Sequence, residues 1–187
     1  MRRLKVMLVV FVSLAVLVVL MRGPLYRSLF SYKDCGERHS FRITSKFLMA
    51  YIDSAADMDN VESVEQIAEL SNKITSAQLS FQATRSEINP NKLFTNKSTH
   101  CVGYSAFYEA VCNYLLAKNG FGDSWHCQAH CGQIHFLGYN VHHLFDSAFF
   151  ANHDFNIIQG DSDSEIYCTD PTLHDYLGIS RVSPYKH

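Results

Sequence analysis

A change of pattern at Gly122 constrains this fold more than any other feature of the sequence. Before it, apolar residues recur at helical spacing. Val61, Val64, Ile67, Ala68, Ile74 and Leu79 predict an amphipathic helix from about Val61 to Phe81. Tyr104, Phe107, Tyr108, Val111 and Leu115 predict a second from Cys101 to Asn119, with Ser98 or Thr99 as its N-cap and Asn119-Gly120 as its stop. The intervening RSEINPNKLFTNKST reads as a loop. After Gly122 come short aromatic and β-branched runs, QIHFLGYNV, FFANHDFNII and EIYCTD, divided by Gly, Asn, Asp and Ser, which predict antiparallel strands. Helices followed by strands imply an α+β fold, with helices packed on an antiparallel sheet. The terminal TLHDYLGISRVSPYKH is expected to pack back on the domain.

The N-terminus adds a different constraint. Arg2, Arg3 and Lys5 precede an unbroken apolar run from Val6 to Met21, with Ser13 its only polar member. As a helix this run rises about 24 Å, so Leu4 and snorkelling Lys5 and Arg22 would complete a span of roughly 30 Å. The following MRGPLYR lacks an A-x-A cleavage pattern, so an uncleaved signal-anchor is expected rather than a removed leader. The expected organisation is therefore 1–22 transmembrane helix, 23–41 linker and 42–187 one globular domain. The basic start puts the N-terminus inside and the domain outside the cytoplasm, with the membrane as a partner. A net charge of -2 and the lack of a long basic run exclude the electrostatic footprint of a nucleic-acid binder.

The chemistry centres on one cysteine. Cys101 opens its predicted helix, where unpaired N–H groups and the helix dipole favour a thiolate. Gly103 and Ser105 flank it with little bulk, which would admit a substrate backbone. In HDFNIIQGDSDSEIYCTDPTL, His153–Ile158 and Glu165–Asp170 read as two strands of a hairpin. A symmetric turn sets Ile157 against Ile166, Phe155 against Cys168, and His153 against Asp170, close enough for the carboxylate to hold the imidazole. The four apolar residues would then share a core-facing surface. Six cysteines in an extracytoplasmic chain allow three disulfides, but a reduced Cys101 leaves an odd number. Cys127 and Cys131 are the nearest pair in sequence, and only geometry decides whether they bond.

Three segments, in order, resemble the transglutaminase-like superfamily of papain-related cysteine enzymes. THCVGYSAFYEAVCNYLLAKNGF resembles that family's cysteine-bearing helix, HDFNII its His-aromatic strand, and CTDPTL its D-P-T element. The family strand usually reads HAW, so Asp154 and Phe155 depart from it. The resemblance implies a transglutaminase-like fold with Cys101 as nucleophile, His153 as general base and acid, and Asp170 as orienting carboxylate. It implies acyl transfer on peptide or amide bonds, as a protease, deamidase or cross-linker, without cofactor or metal. The alternative is a membrane-anchored scaffold that keeps the fold without turnover.

Two elements stay open. The Cys101 N–H could donate to an oxyanion, but no Gln or Trp shortly precedes it, leaving Asn96 and Gln82 as candidates for a second donor. SWHCQAHCGQIH and NVHHLFD gather His126, Cys127, His130, Cys131, His135, His142 and His143, a conceivable zinc set if helical, although no zinc-module spacing is present. His143 with Asp146 is the alternative base pair.

Overall fold

A computed structural model describes residues 2–56, 61–84, 86–161 and 166–185. Its core is an antiparallel sheet in the order β1 (Phe30–Glu37), β4 (Trp125–Phe136), β6 (His153–Gly160) and β7 (Ile166–Thr169), with β5 (Tyr139–Asn140) folding back on β4. The helices before β4 are α1 (Arg2–Leu20), α2 (Arg22–Leu29), α3 (Lys46–Ala56), α4 (Val64–Gln78), α5 (Pro90–Asn96) and α6 (Cys101–Lys118), and α7 (Pro171–Leu177) follows the sheet. β2 (Ser80–Phe81) and β3 (Ser98–Thr99) form a short parallel pair just before α6. The α+β class read from the sequence is present.

α6 is the central element. Gly103 through Cys112 are all buried, because α4, α5 and α7 surround the side that the sheet leaves open. Tyr104, Phe107, Val111 and Leu115 meet Ile67, Leu70 and Ile74 of α4, Leu48 and Ile52 of α3, and Cys127 and Ile158 of the sheet in one apolar cluster. α4 begins with reciprocal caps: Ser63 accepts the Gln66 N–H while Gln66 accepts the Ser63 N–H.

The opposite sheet face carries a smaller cluster of Tyr32, Phe155, Cys168 and Val182, with Ile134, Ile157 and Leu173 packed against it. The C-terminal segment covers this face, as expected, through bridges from Pro184 to Tyr32 and Val182 to Cys168. Phe155 and Ile157 therefore face this cluster, whereas Asn156 and Ile158 face α6.

Several expectations change. Residues 23–41, read as a linker, form α2 and the sheet strand β1. The segment 85–99, read as a loop, contains α5, because Asn89 caps it and Pro90 takes its first turn; both residues suit helix starts as well as loops. Ser98 and Thr99 pair with β2, so the N-cap of α6 falls to His100, whose Nδ1 accepts the Val102 N–H at 3.3 Å.

The expected single spanning helix is not found. Among the described residues no one helix is long and apolar enough to cross a membrane, although α1 from Lys5 and α2 together meet that measure as a pair bent by 67°. The break coincides with Pro24 in the first turn of α2, which has no N–H for the Leu20 carbonyl, and Arg22 clamps that turn, its guanidinium donating to Leu177 O at 2.6 Å and Gly178 O at 3.3 Å at the carboxyl end of α7. That clamp ties the start of α2 to the domain.

Candidate active site

The site lies where the amino end of α6, the start of β6 and the link from β7 to α7 converge. Cys101 is the first residue of α6 and partly exposed. His153 opens β6 opposite Gly132 of β4. An added Cβ at Gly132 would meet the Phe155 ring and the Lys33 carbonyl, so only glycine leaves room for Phe155 beside the histidine. Asp170 follows β7 and caps α7, with Oδ1 accepting the Leu173 N–H at 2.9 Å.

The structure brings His153 and Asp170 together. His153 Nε2 donates to Asp170 Oδ2 at 2.7 Å, and the Tyr32 hydroxyl donates to the same oxygen at 2.8 Å. Since Tyr32 spends its proton on the carboxylate, the Tyr26 hydroxyl donates to Tyr32, also at 2.8 Å. Asp170 is 1% exposed, yet three donors surround it. Burial pushes its pKa up, but His153, the Leu173 N–H and Tyr32 outweigh this and leave it below the usual carboxylate value. Burial likewise opposes charge on His153, and the Asp170 carboxylate, aided by the Cys101 side chain, overcomes it and raises the imidazole well above its ordinary pKa. With Nε2 committed to Asp170, Nδ1 is the nitrogen left for Cys101.

The hairpin register differs from the symmetric one. Ile157 faces Cys168 and Asn156 faces Thr169, a shift of two residues from the expected pairing. His153 and Asp170 therefore stand diagonally rather than directly opposed. An even shift keeps both on one face, and the imidazole reaches across the diagonal to the carboxylate. Glu165, the expected start of the second strand, lies outside the described residues.

Two buried polar ties support the site, one between α6 and β6 and one between α4 and β7. Ser105 donates to Asn156 Oδ1 at 2.7 Å, and Asn156 Nδ2 returns a bond to the Ser105 carbonyl at 3.0 Å. Asn72 of α4 donates to Thr169 at 3.1 Å, holding β7 next to Asp170. Gly103 and Ser105 thus do not open a path for substrate. Ser105 is spent on Asn156, and an added Cβ at Gly103 would overlap the Thr99 side chain.

Tyr32, Arg38, His100, Asp154 and Asn156 belong to the site and were not selected by sequence reasoning. Tyr32 and Arg38 sit in the segment taken as a linker; only the departure of Asp154 from the HAW pattern hinted at a special partner. Arg38 grips Asp154 with two bonds of 2.8 Å. Of the two residues expected to offer a second oxyanion donor, Gln82 accepts the Ser98 hydroxyl on Oε1, and Asn96 is an exposed residue of α5.

The His/Cys-rich segment is a strand. Four residues along a strand span about 13 Å, so Cys127 and Cys131 are too far apart to bond to each other, and His126 and His130 cannot share an ion. All six cysteines are free, and among the described residues no group of three or more His, Cys, Asp or Glu is placed to hold a metal. His143 and Asp146 are both exposed, and His130 instead contacts Asp34 at 3.0 Å.

In comparisons with known proteins, no family model, curated protein or solved structure matches the chain.

Proposed function

We propose that this chain is a cysteine-nucleophile enzyme of the transglutaminase-like class, transferring acyl groups from peptide or amide bonds. The observation that carries the reading is the 2.7 Å bond from His153 Nε2 to a buried Asp170, which leaves Nδ1 for Cys101 at a helix start. A base oriented by a third group and facing a nucleophile is the arrangement such chemistry needs.

The steps follow from these roles. His153 takes the thiol proton on Nδ1, and Cys101 Sγ attacks the carbonyl carbon, moving an electron pair onto oxygen. As that pair returns, the C–N bond breaks and the Nδ1 proton passes to the departing nitrogen, leaving a thioester. Water or a second amine then gives a proton to His153 and attacks the thioester, and Sγ leaves. Asp170 stays ionised throughout, steadying the imidazolium. Its depressed pKa suits that role.

We further propose that the apolar N-terminal segment holds the domain at a membrane, outside the cytoplasm. In support, Val6, Met7, Leu8, Val9 and Phe11 are each more than half exposed, and water is a poor solvent for such a surface. Arg22 would then fix the domain's stance at the membrane surface.

Iodoacetamide labelling of each cysteine, followed by peptide mass spectrometry across pH, tests the nucleophile. Cys101 should label rapidly even at about pH 6, and His153→Ala should slow it at least about tenfold there. Exposed Cys35 supplies the internal comparison. An inert Cys101 would end the enzyme reading in favour of a binding scaffold.

A further inference from the structure

A cavity of about 250 Å³ opens beside Cys101, with Arg38, His100, Phe149, Asn152 and Asp154 among its walls. Its hydrogen-bonding groups are unbalanced. Both Asp154 oxygens are spent on Arg38, which uses Nε and Nη2 for them at 2.8 Å each. The second terminal nitrogen of Arg38, Nη1, has no hydrogen-bond partner among the described residues. His100 accepts the Val102 N–H on Nδ1, and burial lowers its pKa, so the neutral ring carries its proton on Nε2. The cavity therefore offers a fixed cation and a ring N–H, while its carboxylate is already occupied. Such a set fits a group that only accepts.

Resting on the catalytic reading above, we propose that Arg38 is the second oxyanion donor, its Nη1 N–H pointing to the oxygen of the carbonyl that Cys101 attacks. When the S–C bond forms, the carbonyl electron pair moves onto that oxygen. Arg38 stabilises the new charge and releases it when the pair returns and the C–N bond breaks. Asp154, 1% exposed, gives the arginine its orientation before any substrate arrives, and a donor fixed in advance loses little in reorganising. Arg38 and Cys101 line the same cavity, so the guanidinium stands on the side from which a carbonyl would reach the thiol. A neutral Gln or Trp is thus replaced by a charged donor from β1's far end, a position no pattern near Cys101 could reveal.

The test needs no substrate. Full-length protein in detergent is alkylated at Cys101 with iodoacetate and with iodoacetamide, which differ by a carboxylate lying one bond beyond the oxyanion position. The ratio of the two rates cancels any change in thiolate population. In the native protein this ratio should exceed that of N-acetylcysteine amide, and Arg38→Gln should lower it about tenfold, the effect of one charge-assisted hydrogen bond. Should Arg38→Gln leave Asp154 unpaired and the chain unfolded, the double variant Arg38→Gln/Asp154→Asn, which removes both charges, carries the same comparison. A ratio indifferent to these variants, with labelling still dependent on His153, overturns the role of Arg38 alone. A Cys101 inert to both reagents overturns the catalytic reading and this proposal together.

Discussion

Ser105 and Asn156 join helix to sheet by a reciprocal pair, the Ser105 hydroxyl donating to Asn156 Oδ1 at 2.7 Å and Asn156 Nδ2 to the Ser105 carbonyl at 3.0 Å. Ser105 lies one helical turn beyond Cys101, and Asn156 lies three residues beyond His153 on β6. The contact therefore sets the spacing between the thiol and the imidazole. Both residues are fully buried, so neither partner can turn to water if the other is lost.

Ser105→Ala should cost about 1–3 kcal/mol, because it leaves the Asn156 carbonyl oxygen buried without a donor. Urea unfolding measures the loss, and Cys101 alkylation should slow as the helix end shifts. A variant as stable and as reactive as the native chain would remove Ser105 from the positioning scheme.

Tyr32→Phe should destabilise the fold by about 1–3 kcal/mol, since it withdraws a donor from a buried carboxylate and an acceptor from Tyr26. The same change should raise the pH below which Cys101 loses its fast alkylation, as Asp170 then holds its charge less firmly. Tyr26→Phe, one step further from the carboxylate, should do less of both. Equal effects from the two substitutions would count against this order.

Gly103→Ala should lose about 1–3 kcal/mol, although alanine is the better helix former. Its Cβ would overlap Thr99, whose hydroxyl donates to the Glu87 carbonyl at 2.7 Å and is not free to move. A gain in the urea midpoint would show that the turn before α6 is softer than these contacts require.

Stability should be greatest in mildly acidic solution. His153 has a folded pKa raised above the ordinary value of about 6.5, so its contribution is complete below that value and fades as pH climbs through the raised one. Asp170 has a folded pKa below the ordinary 3.9 or so, so its contribution is complete above that value and fades as pH falls through the depressed one. Unfolding midpoints measured from about pH 4 to 9 should therefore fall toward alkaline pH in the native chain, and fall less in His153→Gln. Parallel declines in the two proteins would argue against a shifted His153.

Much of this arrangement was legible in the sequence because it rests on local periodicity. The apolar spacing of α6, its start at Cys101 and the strands around His153 and Cys168 depend on neighbours a few residues away. The nearness of His153 to Asp170 survived an incorrect register because an even shift preserves the face of a strand. The Asn-Pro-Asn of α5 reads as a loop in the sequence because the same residues serve turns and helix starts, and local sequence does not separate the two.

The tertiary structure decided what depends on contacts between distant segments. Tyr32 and Asp170 are separated by 138 residues, Arg38 and Asp154 by 116, and no periodicity links either pair. Strand pairing of β1 with β4 brings Tyr32 and Arg38 to the site. Local propensities could name the residues that begin a helix or alternate along a strand. Only the packing of the sheet against α6 could select which buried charge meets which donor, because an unpaired charge is costly wherever the chain buries it.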